Sequence, residues 1–522
     1  MNVVKEDVGR YSRNRPRVAL RSGWSIILMV VVVVSGAAQA QSYSESILYS
    51  FTGGTDGGQP MGGVVRDAQG NLYGTTYYGG NPGCPPDELG CGVVFKLDSS
   101  GNETVLHTFA GSPDGDLPRA PLLRDAKGNL YGTTTSGGEV CDYDCGTVFK
   151  VDASGNETVL HSFGDKNEYG LEPLGGVVRD AQGNLYGTTY SAYGFGGTVF
   201  EVDKNDDWSV LVGFGGPGGY GPEAGVVRDA QGNLYGTTSA GGNGACPGGC
   251  GTIFKVDASG NETVLYRFFG SGDGSLPVAG LVRDAEGNLY GTTFEGGYSA
   301  DCPVTYGCGT VFKLDASGYE TVLRRLCSAP NCVDGNGPLS TLVRDSKGSL
   351  YGMTLRGGPD NVGTVFKVDK TGNWTVLHSF ATTGVDGFLP WGSLVSDAQG
   401  NLYGATASGG ISGWGTVFKL TLLPATTTTL TSSPNPSTYG QAVTFTAVVT
   451  SKAGTPPDAE TVSFMQGATL LGTGTLNGGS ASFVTSALSI GKDLITAVYG
   501  GDSEFAGSTS KVLKQVVKKA AH

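Results

Sequence analysis

One four-residue string recurs along most of this chain and constrains its fold more than any other feature. The string Asn-Leu-Tyr-Gly, with Ser-Leu-Tyr-Gly as one variant, occurs seven times at intervals of 49 to 61 residues. Repetition at such a period is typical of chains that build one supersecondary unit per repeat. We therefore expect seven similar units, whose copies of the string begin at Asn71, Asn129, Asn184, Asn233, Asn288, Ser349 and Asn401.

Each repeat contains four short segments rich in valine, threonine, tyrosine and phenylalanine, which favour the half-buried surface of a sheet. They are an apolar run ending in Arg-Asp, the Asn-Leu-Tyr-Gly-Thr-Thr run, a Gly-Thr-Val-Phe-Lys run and a Glu-Thr-Val-Leu-His-Ser-Phe run. The connecting strings Asp-Ala-Gln-Gly-Asn and Asp-Ala-Ser-Gly-Asn predict tight hairpins. Four antiparallel strands in about 50 residues predict one propeller blade per repeat.

The strand count predicts how the first and last repeats meet. The third segment appears seven times, and its last copy, 415–420, has no fourth segment after it. A fourth-type segment, Ser46–Phe51, instead precedes the first full repeat. Pairing these two segments removes the free sheet edges between the chain's ends. The predicted fold is therefore all-β, with a seven-bladed β-propeller closed by the N-terminal strand.

Composition excludes two other classes of protein. Glycine accounts for 89 of 522 residues and only 16% of residues are charged, against roughly 25% in ordinary soluble domains. Disorder is a poor interpretation because 39% of the residues are hydrophobic. Collagen is excluded because glycine does not occupy every third position.

The first 40 residues have the three-part plan of a secretory signal. Six basic residues precede the apolar run at 26–34, and the small residues Ala38 and Ala40 follow it. We predict cleavage between Ala40 and Gln41. The alternative is an uncleaved membrane anchor, for which nine apolar residues are few.

The rest of the chain is acidic. The whole chain has a net charge of −13, and after residue 40 there remain 28 basic and 45 acidic residues, a net charge of −17. Such a balance disfavours nucleic acid and anionic membranes as partners. We expect a secreted or cell-surface monomer with no membrane span after removal of the signal.

The repeat motifs are similar to a known family. The strings Arg-Asp-Ala-Gln-Gly-Asn-Leu-Tyr-Gly-Thr-Thr and Gly-Thr-Val-Phe-Lys resemble the GloVer tandem repeat of "choice-of-anchor" bacterial exported proteins, over Ser44 to about Leu420. The resemblance implies export and a role at the cell surface. It implies no particular reaction.

A second pattern begins after Leu423-Pro424-Ala425. Apolar residues then alternate with polar ones, and about seven short strands in some 90 residues predict an immunoglobulin-like sandwich. The run at 498–508 is similar to the end of bacterial Ig-like repeats, which implies a spacer or adhesive module. The predicted organisation is a signal peptide at 1–40, a propeller at 41–422, a threonine-rich linker at 423–429 and a bacterial Ig-like domain at 430–518.

Ten cysteines form five close pairs in sequence. In an exported protein such pairs predict local disulfides. Zinc is the alternative, but a structural zinc site takes four ligands and no pair has a second pair nearby in sequence. The pairs are Cys84/Cys91, Cys141/Cys145, Cys246/Cys250, Cys302/Cys308 and Cys327/Cys332.

The variable connections, second to third strand and fourth to next first strand, are predicted to emerge on one face. Variable loops on a rigid scaffold are common binding sites, and aromatic side chains suit a sugar or a protein ligand. The competing interpretation is that these aromatics cover blade edges. The candidate ligand face comprises Tyr78, Tyr143, Tyr193, Tyr298, Tyr306, Trp391 and Trp414.

The same face carries Asp-Gly-x-x-Pro in five repeats. A ring of carboxylates could bind calcium, but Asp-Gly and Pro also set turn geometry, and we expect no metal. The aspartates are Asp56, Asp114, Asp273, Asp334 and Asp386.

Catalytic motifs are scarce. His107, His161 and His378 occupy one equivalent position in different repeats, so they are not expected to converge. No Gly-x-Ser-x-Gly, His-Glu-x-x-His or phosphate-binding glycine loop is present, and we expect no cofactor. We predict a non-enzymatic protein that binds a glycan or protein. A carboxylate-dependent polysaccharide enzyme and a purely structural spacer are the alternatives.

Overall fold

The computed structural model describes residues 42–81, 83–84, 89–139, 145–164, 170–192, 196–242, 244–270, 272–298, 302 and 307–520. Within these ranges the protein is all-β, with 39 strands and two single 3₁₀ turns at Gly216–Gly218 and Pro330–Cys332. The same ranges contain no helix of the length and apolarity that crossing a lipid bilayer requires.

Most of the strands belong to seven four-stranded sheets in chain order, which we number sheets 1 to 7. Strand β1 spans Tyr43–Ser50 and precedes them. The strands of sheets 1 to 3 are β2 (Val64–Arg66), β3 (Leu72–Thr76), β4 (Val93–Leu97), β5 (Glu103–Thr108); β6 (Leu123–Arg124), β7 (Leu130–Thr134), β8 (Thr147–Val151), β9 (Glu157–Ser162); and β10 (Val178–Arg179), β11 (Leu185–Thr189), β12 (Thr198–Val202), β13 (Trp208–Gly213).

Sheets 4 to 6 repeat the pattern, and each of sheets 1 to 6 is antiparallel with its strands ordered as in the sequence. Their strands are β14 (Val227–Arg228), β15 (Leu234–Thr238), β16 (Thr252–Val256), β17 (Glu262–Arg267); β18 (Val282–Arg283), β19 (Leu289–Thr293), β20 (Thr310–Leu314), β21 (Glu320–Arg325); and β22 (Val343–Arg344), β23 (Leu350–Thr354), β24 (Thr364–Val368), β25 (Trp374–Ser379).

Sheet 7 takes one strand from the start of the chain. Its order is β1-β30-β28-β27, where β27 is Val395–Ser396, β28 is Leu402–Thr406 and β30 is Thr416–Leu422. Strand β1 is antiparallel to β30, with Ser46 opposite Lys419 and Ile47 opposite Phe418. Two further short strands, β26 (Gly387–Phe388) and β29 (Ser408–Gly409), pair beside this sheet. The predicted pairing of Ser46–Phe51 with the last third strand is therefore present in the structure.

Hydrophobic clusters join each sheet to the next. One cluster packs Phe109 and Val94 of the first repeat against Phe149 of the second, and equivalent clusters link every later pair of neighbouring sheets. The seventh cluster packs Tyr403 and Val417 of sheet 7 against residues of sheet 1, with Phe51 fully buried among them. The packing contacts thus form a closed series from sheet 1 to sheet 7 and back to sheet 1.

A glycine-proline contact runs through the same series. Gly92 precedes β4 with φ +87°, and a Cβ there would lie 2.9 Å from a ring carbon of Pro118 in the next repeat. Only glycine tolerates both this backbone conformation and this approach. The last such glycine, Gly415, meets Pro60 of the first repeat in the same way.

The C-terminal strands form two further sheets. One has the order β31-β33-β36 and the other β32-β39-β37-β34-β35, with β38 beside β37. Phe445, Phe464 and Tyr499 are buried in the core that these strands share. The strands are β31 (Thr426–Ser433), β32 (Ser437–Thr438), β33 (Val443–Ser451), β34 (Thr461–Gln466), β35 (Thr469–Thr475), β36 (Ser480–Thr485), β37 (Gly491–Gly501), β38 (Ala506–Thr509) and β39 (Leu513–Lys518).

The threonine-rich segment differs from its prediction. Residues 426–429, expected in a linker, are the first half of strand β31 and pair with β33. Thr426 and Thr428 are buried, and their hydroxyls hydrogen bond to Ser508. The physical reason is that threonine is β-branched and strongly strand-forming, so a run of it extends a sheet whenever its hydroxyls find partners.

Candidate functional site

A cavity of about 250 Å³ lies where the seven connections into the first strands converge. Its wall takes residues from all seven repeats, including Met61, Leu174, Val278 and Leu339. The wall therefore consists of residues that are far apart in the sequence, and no single repeat could form it.

One repeat position supplies the chemically variable part of this wall. In each repeat, a proline contacts the glycine of the preceding repeat, and this contact fixes the position of the connection. The residue directly after this proline therefore occupies an equivalent place in every repeat and lines the pocket. The seven residues at this position are Met61, Arg119, Leu174, Glu223, Val278, Leu339 and Trp391. Four are aliphatic or thioether side chains, and the other three provide one cation, one carboxyl group and one indole.

Small residues follow this position and allow the connections to approach one another. A Cβ on Gly175 would lie 2.2 Å from the backbone nitrogen of Gly225 in the next repeat. Gly63 and Ser393 form a parallel bridge between the first and seventh repeats. Close backbone approach keeps the central opening narrow, so the side chains of the variable position line a pocket rather than a wide channel.

Arg119 and Trp391 contact each other across the pocket. The Arg119 guanidinium carbon lies 5.9 Å from the centroid of the indole ring, a cation-π distance. No carboxylate of the described residues lies within 4.0 Å of this guanidinium. Its hydrogen-bond donors are thus not consumed by an ion pair.

Glu223 is the one carboxylic acid among the described residues that line the pocket. Burial raises its pKa, while the positive charge of Arg119 and the hydroxyl of Ser239 act in the opposite direction. The side chain therefore holds a proton to higher pH than an exposed glutamate does.

The five aspartates of the Asp-Gly-x-x-Pro strings have a structural role in their loops. Asp114, for example, accepts the backbone N–H of Ala110 at 2.9 Å and contacts His107 Nε2 at 3.1 Å. Asp56, Asp273, Asp334 and Asp386 accept equivalent backbone N–H groups. These contacts match the turn-setting interpretation, and each carboxylate lies in its own loop.

The histidines lie at separate contacts between sheets. His107 meets Asp114 and Glu157, and His378 meets Glu45 and Asp386, with the ligand-type atoms of each trio within 4.8 Å of one another. His161 instead stacks on Trp208, with ring centroids 5.0 Å apart, and burial lowers its pKa to about 4. Either trio offers three possible metal ligands, one fewer than a structural zinc site takes.

The predicted ligand-face aromatics divide into three groups. Trp391 lines the pocket, whereas Trp414 covers the backbone of Gly53 and Gly58 and packs with the sheet 7 to sheet 1 cluster. Tyr298 is 44% exposed, and the backbone of Tyr78 pairs with Gly58. Tyr143, Tyr193 and Tyr306, like the expected cleavage residues Ala40 and Gln41, lie outside the described residues.

Four of the five cysteine pairs are bonded as disulfides in the structure. They are Cys84–Cys91, Cys246–Cys250, Cys302–Cys308 and Cys327–Cys332. Cys145 is described, but its expected partner Cys141 lies outside the described residues. The bonds close loops beside the strands and do not border the central pocket.

Sequence reasoning missed Arg119 and Glu223 as site residues. The available signal was the residue after the repeated proline, which changes chemical class from repeat to repeat while its neighbours do not. The sequence-based hypothesis for this face instead concerned the aspartate four residues before that proline, because carboxylates are common metal ligands.

Comparisons with known proteins identify the repeat. A family model described as the Gloeobacter/Verrucomicrobia repeat matches residues 35–246, 143–304 and 302–455. A second, described as a bacterial Ig-like domain (group 3), matches residues 430–518. No curated protein sequence matches the chain significantly.

Several solved structures resemble the fold at low identity. The extracellular domain of a B. thetaiotaomicron protein assigned to the one-component systems is 13% identical, with a TM-score of 0.43 over 93% of this chain and 58% of that one. PorZ, a surface component of the type-IX secretion system of Porphyromonas gingivalis, is 13% identical, with a TM-score of 0.40 over 87% and 58%. An α-L-arabinanase of Penicillium chrysogenum is 14% identical, with a TM-score of 0.38 over 58% and 92%.

The chain spans about three fifths of the length of the first two of these proteins. All three TM-scores lie below 0.5, so no functional conclusion rests on them.

Proposed function

We propose that this chain, which belongs to the Gloeobacter/Verrucomicrobia repeat family, is an exported saccharide-binding protein. Its seven sheets form a β-propeller around the central pocket. The N-terminal strand closes the ring, and the propeller occupies residues 41–422. The bacterial Ig-like domain at 430–518 serves as a spacer.

Two cyclic series of contacts and one strand pairing support the closed propeller. Hydrophobic clusters, Gly-Pro contacts and strand pairing each connect the last repeat to the first, through Val417, Gly415 and β30 respectively. An open row of sheets would leave the first and last members without these neighbours. The pocket wall, with residues from all seven repeats, supports the same arrangement.

The pocket is the observation that carries the binding function. Ligand pockets combine an apolar lining with a few convergent polar groups. Here the aliphatic wall is interrupted by an indole, a guanidinium and a carboxyl group at equivalent repeat positions. An indole packs against the C–H face of a sugar ring, and the two polar groups hydrogen bond to its hydroxyls.

The number of carboxyl groups among the described residues of the pocket wall favours binding over glycoside hydrolysis. Hydrolysis by the common mechanisms uses two carboxyl groups roughly 5 to 10 Å apart. Among the described residues of the wall, Glu223 has no carboxylic partner. The aspartates nearest in sequence, such as Asp114, are engaged in their loops.

Export is supported by the cysteine chemistry. Local disulfides persist in oxidising compartments and are rare in the cytosol. The bonded pairs, together with the N-terminal sequence pattern, support a signal at 1–40 that is cleaved between Ala40 and Gln41.

The test is a glycan array followed by a polysaccharide-degradation screen with the purified full-length protein. We expect binding without release of products, and loss of at least ten-fold in affinity in the Trp391→Ala variant. Tyr298→Ala, an exposed aromatic outside the pocket wall, is the matched control and is expected to bind normally. Product release, binding only to proteins, or unchanged binding by Trp391→Ala would each overturn the proposal.

A further inference from the structure

We infer that the pocket binds the terminal residue of an acidic saccharide, and that this residue is a uronic acid. Its carboxylate hydrogen bonds to the Arg119 guanidinium, and its ring packs on Trp391. This inference rests on the proposed saccharide binding and narrows its ligand class.

Arg119 is the one cationic side chain among the described residues that line the pocket. A planar guanidinium binds a carboxylate through two parallel hydrogen bonds, which is stronger and more directional than binding to a hydroxyl. Its partner within the protein is an indole face and not a carboxylate, so it keeps these donors. In a protein with a net charge of −13, a cation left without an ion pair at the centre of seven repeats marks an anion site.

Trp391 also orients this cation. A guanidinium over an indole ring is held by cation-π attraction, which restricts its rotation without using its hydrogen-bond donors. The guanidinium is therefore pre-organised, and the Arg119 side chain loses less conformational entropy when a ligand binds. The indole surface that Arg119 does not cover and the aliphatic wall remain for the apolar face of the sugar.

Burial raises the pKa of Glu223 against the opposing charge of Arg119, so its ionised form is less favoured than that of an exposed glutamate. A neutral carboxyl group both donates and accepts hydrogen bonds, which suits sugar hydroxyls. An ionised Glu223 would instead compete for Arg119 and repel the ligand carboxylate. In this proposal, Glu223 hydrogen bonds to the sugar hydroxyls and Arg119 binds the carboxylate.

The size of the cavity limits the ligand to a chain end. Pockets for drug-sized molecules occupy roughly 300 to 1,000 Å³, whereas this cavity has about 250 Å³. The volume suits about one sugar ring, and the rest of a saccharide would extend into solvent. A single half-buried cation also binds only one carboxylate and does not attract a whole polyanion to an acidic protein surface.

The test compares disaccharides that end in glucuronic or galacturonic acid with their glucose- and galactose-ended counterparts. Affinities are measured by calorimetry with the full-length protein in about 0.15 M salt, where the Debye length is about 8 Å and long-range repulsion is screened. We expect at least ten-fold tighter binding of one acid-ended ligand than of its neutral counterpart. Arg119→Met should abolish this preference.

Two further variants complete the design. Lys127→Met removes an exposed cation from the same repeat and should leave the preference unchanged. Glu223→Gln should keep the binding of the acid-ended ligand at pH 8 as tight as in the wild type or tighter. Circular dichroism and melting temperature establish that each variant is folded.

The outcomes separate this inference from the proposed function. Equal binding of acid-ended and neutral ligands, or a preference that survives Arg119→Met, overturns the inference and leaves saccharide binding in place. No effect of Trp391→Ala on any ligand overturns both.

Discussion

At the scale of single residues, glutamates recur where one sheet meets the next. Glu103, Glu157 and Glu320 begin the fourth strands of sheets 1, 2 and 5. Each interacts with the aspartate of the connection that leads into its own sheet, which is Asp56, Asp114 and Asp273 respectively. Glu45 of β1 takes the corresponding place beside Asp386. The N-terminal strand therefore carries both the pairing and the side-chain chemistry of a fourth strand.

Burial, and secondarily the negative charge of the facing aspartate, raises the pKa of Glu103, Glu157 and Glu320 to about 7. Since the folded-state pKa lies above the ordinary 4.5, the proton-bound form stabilises the fold. This contribution is complete below about pH 4.5 and is lost as the pH rises through about 7. We expect the triple Glu→Gln variant at these positions to melt higher than the wild type at pH 8.

Thermal melts of both proteins at pH 5 and pH 8 check this expectation. The advantage of the variant should shrink at pH 5, where the wild-type glutamates are protonated in the folded state. The exposed Glu504→Gln is the matched control and should not change the pH dependence. An equal advantage at both pH values would contradict the assigned role of the glutamates.

Arginine and tyrosine form a second recurring pair. Arg124 lies with its guanidinium carbon 5.2 Å from the ring centroid of Tyr73 in the preceding sheet, and Tyr73 donates to Asp67 at 3.0 Å. Five other sheets repeat the contact at 5.4 to 5.7 Å. The arginine before aspartate thus joins neighbouring sheets.

At the scale of elements, β1 compensates for the one repeat that lacks this arginine. Ser396 stands at the position in sheet 7. Tyr43 of β1 packs in the cluster that contains Tyr351 of sheet 6, and its hydroxyl donates to the Gly400 carbonyl oxygen at 3.3 Å. A strand from elsewhere in the sequence therefore supplies the missing contact between sheets 6 and 7.

Phe51, just after β1, should be among the costly positions for substitution. It is fully buried in the cluster between sheets 7 and 1, and its N–H donates to the Gly415 carbonyl oxygen at 3.0 Å. Removing a buried phenylalanine side chain typically costs about 3 to 5 kcal/mol. We expect Phe51→Ala to lower the free energy of unfolding by about this amount, measured by denaturant titration.

Phe269→Ala is the matched control for this measurement. Phe269 is 58% exposed in the connection after the fourth strand of sheet 4, so its loss should change the unfolding free energy by less than about 0.5 kcal/mol. Equal effects of the two substitutions would contradict the role of Phe51 in joining the first and last repeats.

At the scale of the whole molecule, the closed series makes distant parts of the chain depend on each other. Deleting residues 42–51 removes the fourth strand of sheet 7 and exposes the edge of β30. Unpaired edges recruit other strands, so we expect a lower melting temperature and concentration-dependent association in size-exclusion chromatography.

Complementation gives this deletion its control. A synthetic peptide of residues 42–52 should restore the melting temperature and the elution volume of the full-length protein, whereas a scrambled peptide should not. A deletion variant that melts like the wild type would contradict closure by the N-terminal strand.

Much of the fold could be predicted from the repeats. Strand-forming segments, Asp-x-x-Gly turns and the surplus N-terminal strand are local properties, and pairs such as Asp67 and Asn71 form their hydrogen bonds within five residues. The sequence did not predict that the threonine run at Thr426 forms a strand, because its partners, such as Ser508, lie about 80 residues away.

The sequence by itself determined the number of units, their strands, their turns and the strand that the last unit lacks. Each of these follows from patterns of residues that are close in the chain. Only the tertiary structure decided which side chains meet at the centre. Arg119, Glu223 and Trp391 are separated by 104 and 168 residues, and no local pattern shows that they meet in one pocket. They form one pocket because the closed series of sheets brings seven equivalent positions together.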